Sequence, residues 1–304
     1  MKPRRSTLSV PGHVEKMHHK ACGSHADVIM LDLEDSVPLE AKVSARETVI
    51  RSLLSLEWMD KIVTIRINGL DTPFGYKDLL VVVEKAGQHL DSVIIPKINN
   101  GGDIHFADRM LNGMEMNRQF SNSIGIEASI ESAQGLEKVT EIASASPRLK
   151  TLVFGVADYS TSIGARLVSL SGHGEMEKDI YPGHRWNFVM SRIVMAAKAH
   201  GLLAIDAPYG HFKDIDGLRQ AASTACALGF DGKWAIHPNQ IEVINSVFSP
   251  TPADIDRARK VLDANDKAKA EGRGAVSVDG RMVDQATVRL AQQLWDHARH
   301  LNLI

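Results

Sequence analysis

Eight short apolar runs rich in Val and Ile, each followed by a longer segment whose apolar residues return every three or four positions, constrain this chain more than any other feature. They are "TLSV" (7–10), "DVIMLDLE" (27–34), "KIVTIRIN" (61–68), "SVIIPK" (92–97), "IGIEASIE" (124–131), "TLVFGVAD" (151–158), "LLAIDAP" (202–208) and "KWAIHP" (233–238). Segments such as "LEAKVSARETVIRSLLSL", "PFGYKDLLVVVEKAG", "AQGLEKVTEIASA" and "DIDGLRQAASTACALG" lie between them and read as amphipathic helices, the last ending on a Gly suited to a helix end. Strand alternating with helix predicts a parallel sheet with right-handed crossovers. Eight units favour closure into an α/β fold of the (β/α)8 TIM barrel type over residues 1–248. Neither a G-x-G-x-x-G loop nor a P-loop is present, which removes the main reason to prefer an open doubly wound sheet.

After residue 248 the rhythm changes. "SPTPADIDRARKVLDANDKAKAEG" predicts a charged helix, "AVSVDGRMVD" a hairpin turning at Asp279 and Gly280, and "QATVRLAQQLWDHARHL" a final helix, so 249–304 is expected to be a C-terminal appendage of helices and a β-hairpin. Composition narrows the function. The 35 basic and 37 acidic residues are spread evenly, leaving no basic face for nucleic-acid phosphates. No segment approaches the roughly 18 uninterrupted apolar residues of a membrane span. The Arg pair of "MKPRRSTLSVPG" is not followed by the apolar run of a secretory signal, and Cys22 and Cys226 lie far apart in no metal-like spacing. The expected location is cytoplasmic.

The stretch "VIMLDLED" (28–35) raises the chemical question, because a strand apolar enough to be buried ends in Asp32, Glu34 and Asp35. Other runs end similarly, in Arg66 and Asn68, Lys97, Glu127 and Glu131, Asp158, Asp206 and His237. A strand end is also simply where a chain emerges into water, but in such barrels chemistry sits at this rim, and convergence of seven ends points to it. Glu131 and Asp158 form a hard oxygen pair suited to Mg²⁺, with a structural salt bridge to Arg66 or Lys97 as the alternative. The "HH" at 18 and 19 lacks H-E-x-x-H spacing and falls on an expected surface helix, which argues against zinc. Arg66, in "TIRING", must be matched by an anion and suits a substrate carboxylate or an oxygen that becomes negative. Asp32, Glu34 and Asp35 are expected to stand behind these groups, ordering metal-bound waters and holding the cations.

The motifs "LDLEDSV", "VTIRINGLDTPF", "IIPK", "IESAQG", "FGVAD", "DGKWAIHP" and "DGRMVD" occur together in an order and spacing that resembles the citrate lyase β-subunit-like (HpcH/HpaI aldolase) family, from about residue 5 to 300, and within it the malyl-CoA, β-methylmalyl-CoA and citramalyl-CoA lyases. The resemblance implies a Mg²⁺-dependent lyase, with Mn²⁺ as a substitute ion, that reversibly cleaves a 3-hydroxyacyl-CoA to acetyl-CoA or propionyl-CoA and a 2-oxo acid, glyoxylate or pyruvate. It implies Glu131 and Asp158 as metal ligands, Arg66 as the group steadying a thioester enolate, and the backbone at Ala157 and Asp158 as the hold on the 2-oxo acid. It also implies Asp284 as proton donor to a neighbouring subunit in a trimer or hexamer whose appendage acts as a lid, and Ser9, Val10, Lys20, Ile236 and His237 as coenzyme A contacts. Read without the family, Asp284 fits a helix N-cap before "QATV" equally well, and His237 fits a satisfied core histidine. The family's usual aromatic is Ser9 here, and an Arg common in the lyases is absent near Val14. A malyl-CoA thioesterase, a citrate lyase β subunit working on an acyl-carrier protein, and a non-catalytic barrel are the competing readings.

Overall fold

All eight apolar runs form parallel strands, and these close on themselves in chain order. In the computed structural model, which describes residues 2–166, 184–272 and 276–304, they are β1 (Ser6–Pro11), β2 (Val28–Asp32), β3 (Ile62–Arg66), β4 (Ser92–Ile95), β5 (Gly125–Ile130), β6 (Leu149–Phe154), β7 (Leu203–Asp206) and β8 (Gly232–Ala235). Pairing of Thr7 with Trp234 joins β1 to β8 and leaves no free edge. The helices around them are α1 (Glu15–Cys22), α2 (Lys42–Ser55), α3 (Gly75–Ala86), α4 (Gly101–Arg118), α5 (Ala133–Glu137), α6 (Val139–Ser144), α7 (Val156–Ser162), α8 (Asn187–Ala199), α9 (Ile215–Leu228) and α10 (Ile241–Val247). The architecture is the (β/α)8 TIM barrel.

Alternation along each strand sorts two cores. Ile29 and Leu31 join the large apolar layer between strands and helices, whereas Met30, between them, packs inside with Ile94, Val153, Ile205 and Trp234. Arg4 reaches the inner face as well. It donates to Glu127 Oε1 at 2.6 Å, and Ser92 and Thr151 hydroxyls complete the buried carboxylate's partners at 2.5 and 2.9 Å. Glu127 sits in the first half of β5, so it belongs to the barrel floor and not to the mouth where the strand-end reading placed it. Asp206 is likewise committed elsewhere, accepting from Lys233 Nζ at 2.5 Å with both side chains fully buried.

Two local expectations are corrected. The run 151–158 is a strand only to Phe154. Gly155 breaks it, and Asp158 stands in the first turn of α7. The segment 133–145 is two helices separated at Lys138, not one.

The described residues divide into two units, Arg4–Phe248 and Ser249–Ile304 together with residues 2–3. In the second, α11 (Pro252–Ala270) begins with a capping box of Thr251 and Asp254. The hairpin of β9 (Val276–Val278) and β10 (Arg281–Val283) turns through Asp279 and Gly280, whose φ of 50° and 74° suit the mirror-image turn that matches strand twist. Ala275, in the expected hairpin, lies outside the described residues. Ala258 and Val261 pack against Val283 and Ala291, the last on α12 (Gln285–His300). Among the described residues no helix is long and apolar enough to cross a membrane.

Candidate active site

Arg66 is the last residue of β3 and faces Asp32, the last of β2, across the register. A guanidinium among apolar strands needs its charge met, and Asp32 meets it with two parallel bonds of 2.7 Å from Nε and Nη2. The same carboxylate accepts the backbone N–H groups of Glu34 and Ser36 at 2.9 and 3.1 Å, so its four acceptor positions are filled. Of the two tasks expected of Asp32 it therefore holds a cation and has no lone pair left to order water. Burial alone would raise its carboxyl, but the charge and hydrogen bonds of Arg66 hold it below the ordinary value.

Two of the five N–H groups of Arg66 go to Asp32. Its Nη1 lies 2.9 Å from Glu34 Oε2 as an ion pair without hydrogen-bond geometry, and 3.7 Å from the mostly exposed Asp35. One face of the guanidinium is covered by Trp234, 5.5 Å from the ring centre. Glu34 is shared: its Oε1 accepts from Lys97 Nζ at 2.7 Å. The Lys97 ammonium also lies 3.9 Å from Asp158 Oδ2, and the Lys97 backbone N–H donates to Glu131 Oε1 at 2.5 Å. A line of contacts thus runs from Arg66 through Glu34 and Lys97 to Asp158 and Glu131, all on the mouth side.

The backbone is shaped for this. A Cβ on Gly155 would stand 2.2 Å from Glu131 Oε2 and 2.4 Å from its Cβ, so only glycine leaves room for that carboxylate. Behind Glu34, the buried Lys42 donates to the carbonyls of Leu33 and Glu34 at 3.0 and 2.6 Å, and Asn68 donates to Leu33 O at 2.9 Å. Asn68 is in turn fixed by Asp78, which Arg46 anchors at 2.6 Å. Asn68, read as a polar strand end, is a brace for the β2 loop.

Burial, then the charges of Glu34 and Asp158, push the Glu131 carboxyl up to about 8. Carboxylates so crowded favour a cation between them, and the donors are hard oxygens only, so the residues present fit Mg²⁺. Among the described residues no group of three or more His, Cys, Asp or Glu side chains is arranged for a metal. Two carboxylates suit an ion that keeps several waters.

The other expected residues are dispersed along the β1 and β8 side. Ser9 is half-buried on β1 and Lys20 is exposed on α1. The Val10 side chain is buried in the outer core, which leaves only its backbone for a ligand. Ile236 is 45% exposed, and His237 is neither buried nor free: its Nδ1 accepts from Asn239 N at 3.2 Å, and its ring stacks on Phe212 at 4.8 Å. Ala157 is exposed in the first turn of α7. His18 is fully buried, not on a surface, with its ring nitrogens 2.7 Å from Ser52 Oγ and 3.0 Å from Pro11 O. In the separate C-terminal unit Asp284 is the N-cap of α12, accepting from Thr287 N and Oγ1 at 2.8 and 2.9 Å.

A family model described as HpcH/HpaI aldolase/citrate lyase matches residues 5–238. An L-malyl-CoA/beta-methylmalyl-CoA lyase of Cereibacter sphaeroides is 39% identical over 296 residues, covering 96% of this chain and 93% of its own. A citrate lyase subunit beta of Leuconostoc mesenteroides is 35% identical over 304 residues, covering 98% and 95% respectively. The solved structure of the protein CitE from Mycobacterium tuberculosis, in complex with magnesium, acetoacetate and coenzyme A, is similar with a TM-score of 0.76 and 27% identity over 98% of both chains. Barrel, motifs and relatives agree: the chain belongs to the HpcH/HpaI aldolase/citrate lyase family.

Proposed function

We propose that this chain is a Mg²⁺-dependent lyase that cleaves malyl-CoA, β-methylmalyl-CoA or citramalyl-CoA to acetyl-CoA or propionyl-CoA plus glyoxylate or pyruvate. The observation that carries the reading is the line of contacts linking the Arg66 guanidinium to the Glu131 and Asp158 carboxylates through Glu34 and Lys97. It is supported by the names of the relatives, which are lyases of CoA esters and citrate.

Glu131 and Asp158 would hold the ion, which when bound supplies Lewis-acid polarisation of the 2-hydroxy-acid oxygens. Arg66 is clamped in one orientation by Asp32, so its remaining N–H groups are aimed before the reaction begins. They receive the thioester oxygen as the hydroxyl gives up its proton to solvent, its oxygen becomes the carbonyl of the 2-oxo acid, and the electrons of the broken carbon-carbon bond form the enolate. The backbone at Ala157 and Asp158 takes the carboxylate of the departing 2-oxo acid. Ser9, Lys20, Ile236 and His237, with the backbone of Val10, hold coenzyme A. Proton delivery to the enolate carbon falls to Asp284 of a neighbouring subunit, with residues 249–304 acting as a lid in a trimer or hexamer. Thr287, by its N–H and hydroxyl, keeps the Asp284 carboxyl below its ordinary range, so this role requires those bonds to loosen as the lid closes.

The test is a cleavage assay on the three acyl-CoA esters with Mg²⁺, with Mn²⁺ and after chelation. A lyase releases glyoxylate or pyruvate. A thioesterase releases malate and free coenzyme A, and a citrate lyase β subunit acts only on an acyl-carrier thioester. Asp158→Ala should abolish turnover and leave the far-ultraviolet circular dichroism intact, and unchanged turnover would remove the metal-site assignment.

A further inference from the structure

Five described residues other than glycine adopt positive φ. Gln119 and Asn302 end helices, Met59 and Asp279 sit in turns, and the fifth is Lys97, φ 53°, at the mouth just beyond β4. A left-handed lysine is an unfavourable choice unless the surroundings require it. Here the bend lets one residue serve two carboxylates at once, with its N–H on Glu131 and its ammonium on Glu34, 3.9 Å from Asp158.

We infer that Lys97 is an internal counter-ion that competes with the divalent metal for this carboxylate cluster and thereby sets its affinity. The inference rests on the metal-site reading above. An ammonium 3.9 Å from an oxygen of a metal-binding carboxylate repels a second cation at that carboxylate. It also relieves repulsion among Glu34, Glu131 and Asp158 when no metal is bound. The two effects oppose: the lysine stabilises the metal-free protein and weakens metal binding. Over a third of the side chain is exposed, so water screens part of the repulsion, and the expected effect on affinity is moderate.

Lys97→Met keeps the stem, the backbone N–H and a residue of similar backbone preference while removing the charge. Titration calorimetry with MgCl2 on the metal-free protein should show at least tenfold tighter binding than wild type, and the metal-free melting temperature should fall by several degrees and recover when Mg²⁺ is added. Lys97→Arg, which restores the charge, should return both properties toward wild type. If Lys97 only braced Glu34, the methionine variant would bind Mg²⁺ equally or more weakly, and that result overturns the inference. Lys97→Gln keeps a hydrogen-bond donor for Glu34 and carries the same expectation should the methionine variant fail to fold. Asp158→Ala separates the two levels. If it binds Mg²⁺ like wild type, the metal site itself is misassigned. If it does not, and removal of the lysine charge leaves affinity unchanged, only the role of Lys97 fails.

Discussion

Asp32→Asn tests the clamp on Arg66 with little change in volume. The carboxylate is fully buried and the guanidinium side chain 10% exposed, so solvent screening does not dilute the effect. Removing one partner of a buried pair costs about 3 to 5 kcal/mol. Glu34 and Asp35 remain 2.9 and 3.7 Å from Nη1 and keep part of the compensation, which places the expectation near the lower end, about 3 kcal/mol. With a urea slope of about 3 kcal/mol/M, the unfolding midpoint of the variant should fall by roughly 1 M. Tryptophan fluorescence is a suitable probe because Trp234 lies against Arg66. The sign of the pH dependence follows from the direction of the shift. The folded Asp32 carboxyl is held below its ordinary value, so the stabilisation is full above the unfolded pKa of about 3.9 and is lost as pH falls through the lower folded pKa. Variant and wild type should therefore differ fully at pH 7 and converge in strong acid. A midpoint shift under about 0.2 M at pH 7 would refute the clamp, since on the same urea slope it is well below 1 kcal/mol.

Gly155→Ala should displace the Glu131 carboxylate, because the new methyl would overlap it, and lower Mg²⁺ affinity more than tenfold in calorimetry while the barrel still folds. Arg4→Met should leave Glu127 without a counter-charge inside the barrel, held only by Ser92 and Thr151, and lower stability by about 3 kcal/mol in urea unfolding, with Mg²⁺ affinity unchanged. Burial holds the His18 imidazole below its usual 6.5, so stability should decline as pH falls through that value. His18→Gln should flatten the slope of melting temperature between pH 7 and 5.

The barrel was legible because its signal is repeated, with eight apolar runs joined by seven crossovers that each require the same sheet direction. What stayed hidden were features decided by partners distant in the chain. Glu127 looks like a mouth residue until Arg4, 123 positions earlier, is found beneath it, and Asp206 until Lys233 is placed beside it. Period-two alternation tells which face a side chain takes, not which end of the barrel it serves. His18 and His19 are adjacent and chemically identical, yet the two-turn helix turns one onto Ser52 and the other to solvent. The end of β6 was misplaced because "VFGVA" is an unbroken run without a polar side chain before Asp158. The glycine that breaks it is demanded by Glu131 from the neighbouring strand, a steric requirement with no local signature. Lys97 was visible as a polar strand end and as a salt-bridge partner for the carboxylate pair, but nothing in "IIPK" announces a left-handed residue.

If Glu131 and Asp158 hold a metal as proposed, the charges at the mouth bear on which kind of ion it would be. Asp32, Glu34, Glu131 and Asp158 are four carboxylates, none more than 41% exposed, and among the described residues their ion pairs are with two cations, Arg66, which Asp32 clamps and Glu34 shares, and Lys97, which lies between Glu34 and Asp158. Asp35 adds a fifth but is 60% exposed and largely solvated. Four negative charges against two positive leave a deficit of two, and Glu131, pushed toward the protonated form first by burial, is pushed further by Glu34 and Asp158. A monovalent ion would cover half of that deficit, and a divalent ion covers it fully. On the proposed lyase reaction, the substrate's carboxylate and the enolate charge would then meet a site already near neutrality, where the N–H groups of Arg66 not taken by Asp32 would receive them.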